Sequence, residues 1–101
     1  MGLGFEIIRE NRRAHDYKLD LRLDGCELEI FAPDNVPPKR VSFPEACGLR
    51  HLAFRVESVP DTVSELEAMG IACEPIRVDE FTNKRMTFFK DPDGLPLEIH
   101  E

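Results

Sequence analysis

The chain has no excess of positive charge. Its 13 Lys and Arg stand against 20 Asp and Glu, a formal net charge of -7 with pI ≈ 4.9, so the basic footprint that neutralises phosphates is missing. A nucleic-acid partner is not expected. No apolar run approaches the roughly 18 residues that would cross a bilayer, and no charged start leads into an apolar core and a small-residue cleavage site. The expectation is a cytoplasmic protein without a membrane partner. Cysteine is scarce and scattered: Cys26, Cys47 and Cys73 are odd in number and include no Cys-x-x-Cys pair. That argues against a disulfide framework, a thiolate zinc knuckle or a thiolate nucleophile, and for reduced thiols. What is present is ordinary for a folded domain, 42% hydrophobic and 33% charged over 101 residues, enough for one domain spanning 1–101 and too little for two.

Strand signals dominate the first half. Phe5–Arg9 is a short apolar run, and the charged stretch Glu10–Asp16 reads as a loop. Leu19, Leu21 and Leu23 then alternate with Asp20 and Arg22, the period of a half-buried strand. Asp24-Gly25 suits a type I′ turn, so Cys26–Phe31 should return as a hairpin arm with Glu27, Glu29 and Phe31 opposite the face of Cys26, Leu28 and Ile30. Four prolines between Ala32 and Cys47 make that segment a linker.

From Gly48 the pattern is cleaner. Leu52, Phe54 and Val56 alternate with His51, Ala53 and Arg55. Ser58, Pro60 and Asp61 mark a helix entry, and Val59, Val63 and Leu66 follow at helical spacing up to Gly70. Ile71–Val78 and Arg85–Lys90 read as strands. Asp91-Pro92-Asp93-Gly94 is a tight turn, and a last strand sets Leu95, Leu97 and Ile99 against Pro96, Glu98 and His100. Phe54, Phe88 and Phe89 are expected in the core between helix and sheet. Both halves end on a Gly-containing turn and a Leu-Glu-Ile triplet, Leu28-Glu29-Ile30 and Leu97-Glu98-Ile99.

The stretches Gly48-Leu49-Arg50-His51-Leu52-Ala53-Phe54 and Phe88-Phe89-Lys90-Asp91-Pro92-Asp93-Gly94-Leu95-Pro96-Leu97-Glu98 resemble the vicinal oxygen chelate superfamily, in particular its short glyoxalase-like bacterial members. The resemblance implies an α+β fold of paired βαβββ modules, with curled, mainly antiparallel sheets cupping a divalent metal. It divides the chain into an incomplete first module with its linker, 1–47, and a complete second module, 48–101. Each module of that pattern contributes a ligand from its first strand and one from its last, which selects His51 and Glu98 from the second module and Glu29 from the first. A first-module histidine has no counterpart, because a strand and helix need roughly 17 residues and only two precede Leu3. The first strand and helix are thus expected to be missing, or supplied by a partner chain or an upstream start.

On alternation alone Glu29 and Glu98 would simply face water, as most strand glutamates do, and Glu27 shares the face of Glu29; the family position is what singles out Glu29. Imidazole and carboxylate donors suit Zn or Ni, and also Mn or Fe, at an open site. His100 and His15 are weaker candidates for a replacement ligand. Lys84 and Arg85 could meet an anionic group, although a solvated hairpin end is the simpler reading. The function implied is a metal-dependent lyase or isomerase acting on a small metal-chelating substrate, such as the hemithioacetal of an α-keto aldehyde. Glu98 or Glu29 would move the proton through an enediolate. Two alternatives stay open, a metal-free small-ligand binding or sequestering module and a non-haem iron dioxygenase. An uncovered apolar face and sheet edge in the first module predict a homodimer.

Overall fold

The computed structural model describes residues 3–37, 43–44 and 47–101. The chain divides into two compact units, Leu3–Pro38 and Lys39–Glu101. The fold is α+β, and the described residues form strands and one helix arranged as one antiparallel and one mixed sheet, both open. Of the expected linker at 32–47, residues 38–42 and 45–46 lie outside the described residues, and Ala32 and Pro33 instead extend a strand.

The first unit is an antiparallel meander of β1 (Glu6–Arg12), β2 (Asp16–Leu23) and β3 (Cys26–Pro33), in that order. Asp24 and Gly25 both take positive φ, 50° and 80°, the expected type I′ geometry, whose twist matches that of the strands it joins. The turn fixes the register: Leu23 faces Cys26, Leu21 faces Leu28 and Leu19 faces Ile30, while Ile7 on β1 completes the row opposite Leu21. The other face carries charge, with Asp20 between Arg9 and Glu29.

The loop expected over Glu10–Asp16 is corrected. Glu10, Asn11 and Arg12 continue β1 opposite Leu19, Lys18 and Tyr17, and only a short turn remains, closed by Arg13 N–H donating to the Asp16 carbonyl at 2.8 Å. Charge does not oppose an edge strand whose side chains reach water or a partner. Arg12 finds one, its Nη2 donating to both carboxylate oxygens of Asp34 at 2.9 and 3.0 Å.

The second unit follows the expected order of strand, helix and three strands: β4 (Leu52–Arg55), α1 (Val59–Ala68), β5 (Arg77–Val78), β6 (Arg85–Lys90) and β7 (Pro96–His100). Its sheet runs β4-β7-β6-β5, parallel between β4 and β7 and antiparallel elsewhere. Ser58 caps α1, its Oγ accepting from Asp61 N–H at 3.3 Å. The Glu101 carboxylate takes a second free donor of that helix end, Val59 N–H at 2.9 Å, and also binds Arg85 at 3.0 and 2.8 Å. The Arg85 guanidinium and the Val59 amide hold the Glu101 carboxyl below the usual range. Helix α1 packs on β6, and the buried set is Val59, Leu66, Thr87, Phe89 and Ile99, with Met86 on the opposite face.

The strand expected over Ile71–Val78 is also corrected. Only Arg77 and Val78 pair continuously, and Cys73 makes one isolated bridge to Phe89. Pro75 has no N–H to give the ladder. The Thr87 hydroxyl reaches across instead, donating to the Glu74 carbonyl at 2.8 Å, so a fully buried hydroxyl is satisfied where the strand is broken.

Candidate metal centre

His51 directly precedes β4, and parallel pairing sets Leu52 opposite Leu97 and Ala53 opposite Glu98 on β7. The consequence is that His51 Nε2 lies 3.6 Å from Glu98 Oε2 on the sheet face away from α1. The two side chains are 34% and 18% exposed, shielded enough to strengthen electrostatics yet open to a ligand. At 3.6 Å they make no hydrogen bond. The His51 ring is steadied by Phe88, edge to face with centroids 5.2 Å apart, and the Arg77 guanidinium stands 5.4 Å from the Phe88 centroid. Phe88, expected in the core, is therefore corrected to a half-buried position on the site face. Its register opposite Glu98 is the signal, hidden in the sequence by the unbroken run Met86-Thr87-Phe88-Phe89.

The pair fits a divalent ion. With bonds of about 2.0–2.2 Å and tetrahedral angles, two donors of one ion stand about 3.4 Å apart, close to the separation of Nε2 and Oε2. Among the described residues no group of three or more His, Cys, Asp or Glu is gathered closely enough to hold a metal, so the second unit offers two donors of its own.

Glu29 lies on β3 of the first unit, opposite Asp20. Its Oε1 accepts from Lys18 Nζ at 2.9 Å and its side chain is 60% exposed; the Glu29 carboxylate, aided by Asp20, holds the Lys18 ammonium more firmly protonated than usual. Sequence reasoning missed Asp20. It is 3% exposed, its Oδ2 accepts from Arg9 Nε at 2.8 Å, and Lys18 Nζ lies 3.5 Å from its Oδ1. These partners, Arg9 first, push its carboxyl below the ordinary range. Period-2 alternation assigned Asp20 to a wet face; only the cross-strand register, which places it between Arg9 and Glu29, reveals a covered ion cluster.

The weaker candidates separate. His15 is exposed in the β1–β2 turn. His100, half-buried on β7, has Nδ1 3.2 Å from the Glu101 carbonyl. Arg85 is committed to Glu101. Among the described residues Lys84 has no ion-pair partner. Cys73 is half-buried, and burial, with the nearby Glu67 charge, pushes its thiol up, away from the thiolate a nucleophile needs.

Residues 2–99 match the Glyoxalase/Bleomycin resistance protein/Dioxygenase superfamily. The chain belongs to this superfamily. It is 54% identical to YwkD of Bacillus subtilis (strain 168) over 98% of this chain and 79% of that protein, and 52% identical to YaeR of Escherichia coli (strain K12) over 98% and 78%. The structure of a glyoxalase family protein from Enterococcus faecalis superposes with TM-score 0.87 at 59% identity, covering 99% of this chain and 80% of that one. Within the superfamily's small-molecule chemistry, an imidazole and a carboxylate facing each other on one sheet can hold a cation, orient substrate oxygens or accept a proton. Among the described residues no helix is long and apolar enough to cross a membrane.

Proposed function

We propose that the protein is a metal-dependent lyase or isomerase of the glyoxalase type, acting on a small substrate with adjacent oxygens, such as the hemithioacetal of an α-keto aldehyde. The observation that carries this reading is the approach of His51 Nε2 to Glu98 Oε2 at 3.6 Å on the face away from the helix. His51 and Glu98 would hold a Zn or Ni ion, and Glu29, the position selected by the family pattern, would be the third ligand in place of its pairing with Lys18. The ion would polarise the substrate oxygens and stabilise negative charge on them. A Glu carboxylate, Glu98 or Glu29, would remove the proton from the carbon beside the carbonyl and return it to the former carbonyl carbon, while the hydroxyl proton passes to the former carbonyl oxygen, so the isomerisation conserves every atom. Phe88 and the backbone of β4 keep His51 in place while this occurs.

Calorimetric titration with Zn and Ni tests the site. Loss of a direct ligand in His51→Ala or Glu98→Gln should weaken affinity by more than the roughly 10–100-fold that an outer-shell partner costs. Unchanged affinity in His51→Ala overturns the reading. A glutathione-dependent assay with an α-keto aldehyde, run beside an oxygen-uptake assay, separates the lyase from a dioxygenase. A metal-free binding module is the second reading, supported by the two-donor set of the second unit, where catalytic zinc sites commonly use three protein ligands.

The same proposal takes the two units as modules of one domain in a cytoplasmic homodimer. Its support is the exposure of Ile7 (52%) and Ile30 (44%) on the apolar face of the first sheet, which a second copy would cover. A stable monomer mass by light scattering at micromolar concentration would remove the dimer.

A further inference from the structure

Beside Glu98, on the same side of the second sheet, the loop at 79–84 forms a cavity of about 220 Å³ lined by Asp79, Thr82, Lys84, Arg85, Met86, Glu98 and His100. Its size suits a group of a few heavy atoms rather than a drug-sized ligand, whose pockets run from about 300 Å³ upward. Met86 is buried although its register places it on the face away from α1, opposite His100, so it gives the cavity an apolar floor.

The loop holds its backbone and the Asp79 and Thr82 side chains in place. Asp79 Oδ1 accepts from Phe81 N–H at 2.7 Å and Thr82 N–H at 3.1 Å. Asp79 N–H donates to the Lys84 carbonyl at 2.9 Å, and Asn83 N–H to the Asp79 carbonyl at 2.8 Å. Asn83 takes the left-handed conformation at φ 59° that tightens the turn, a region Asn tolerates better than most residues. One Asp79 oxygen is thus committed to the backbone. Thr82 Oγ1 accepts from Lys84 N–H at 3.3 Å, which leaves the hydroxyl proton free to donate. Arg85 is neutralised by Glu101, whereas Lys84 has no ion-pair partner among the described residues.

Charge on the surrounding face points the same way. By register, the strand residues on the side of Glu98 include Arg55 opposite His100, Lys90 opposite Pro96 and Arg77 opposite Met86, the last shared with Glu74 at 3.6 Å, with Glu98 the one carboxylate among these strand positions. In a chain of net charge -7, Lys84, Arg55 and Lys90 offset the Asp79 and Glu98 carboxylates that line the cavity, and a cation held by Glu98 would tip this face positive. Such a field concentrates anions.

We propose that this cavity is a subsite for an oxyanion, carboxylate or phosphate, borne by the small substrate whose adjacent oxygens face His51 and Glu98, with Lys84 giving charge and Thr82 a hydrogen bond. The proposal deepens the preceding one and rests on it for the identity of the shared substrate. It narrows the substrate class to chelating molecules with an anionic end.

The test is an NMR titration of the isotopically labelled full chain with inorganic phosphate and, separately, with acetate, each at constant ionic strength set by chloride. Saturable shifts at the Thr82 and Lys84 amides and the His100 ring are expected, and Lys84→Met should weaken binding about tenfold or more, as loss of a hydrogen bond to a charged group implies. Saturation by phosphate alone assigns phosphate, by acetate alone carboxylate, and by both a general oxyanion site. No saturable shift with either anion, or equal binding in wild type and Lys84→Met, overturns the subsite. A zinc titration of phosphate-free samples, followed at the His51 ring, keeps the two proposals apart. Zinc binding that persists while neither anion binds removes the subsite alone; anion binding at Lys84 without zinc binding at His51 keeps the subsite and removes the metal reading.

Discussion

The strands of Leu3–Pro38 and those of Lys39–Glu101 alternate apolar and polar residues alike, but only the second unit contains a helix among the described residues. There Val59, Leu66, Phe89 and Ile99 are at most 5% exposed. In the first unit Ile7 and Ile30 are 52% and 44% exposed, and the described residue that is fully buried is a carboxylate, Asp20 at 3%. The contrast teaches that alternation decides which side chains share a face and says nothing about what covers that face. An open sheet with a partly exposed apolar face gains less from burial, so what the first unit buries is an ion-paired carboxylate, where the second buries a set of apolar side chains.

The sharpest way to break this contrast is by truncation. Leu66→Ala removes a side chain that is 2% exposed and should destabilise the protein by about 2–5 kcal/mol. Ile30→Ala, at an exposed position, should stay within about 0.5–1 kcal/mol, as most surface changes do. Urea unfolding followed by circular dichroism measures both, and equal losses would mean that the face of Ile30 is covered in solution.

A smaller effect lies in the acid limb of stability. Asp20 and Glu101, one in each unit, are both held below the ordinary carboxylate range by an arginine. A carboxyl whose folded pKa is depressed stabilises the fold fully above its unfolded pKa, about 3.9 for Asp and 4.3 for Glu, and loses that contribution as pH falls through the folded value. Asp20→Asn and Glu101→Gln should therefore each lower the unfolding midpoint at pH 7, with the difference from wild type shrinking as pH falls below about 4. Asp20, the more deeply buried, should show the larger effect. A gap in midpoint that stays constant down to pH 2 would mean that neither ion pair is formed in solution.

How much of this was legible in the sequence depends on where each signal resides. The turns at Asp24-Gly25 and Asp91–Gly94, and the Ser58 cap, were readable because they are set by residues adjacent in the chain. Strand β5 was not, since its shortening depends on the Thr87 hydroxyl meeting the Glu74 and Pro75 carbonyls across the sheet. The strand through Glu10–Arg12 was hidden by its charge, which an edge position tolerates. At the site, His51 and Glu98 were selected by resemblance and stand 3.6 Å apart; Phe88 and Asp20 escaped because cross-strand register governs them. Glu29 was likewise selected by resemblance, but its contact with Lys18 follows from two strands meeting and could not be read from either alone.

The mildest test of the contrast uses the thiols. Cys26 is exposed on β3 of the first unit and Cys73 is half-buried in the second. Attack by a thiol reagent requires the thiolate, and burial together with the Glu67 charge pushes the Cys73 thiol up, so both access and ionisation slow it. Near pH 8 Cys26 should be modified first and Cys73 later, and mild urea should accelerate Cys73 more than Cys26, because only Cys73 must wait for an opening of its surroundings. Mass spectrometry of the peptides against time reads both rates. If Cys26 proves the slower of the two, its face is covered in solution, as the proposed second copy would cover it.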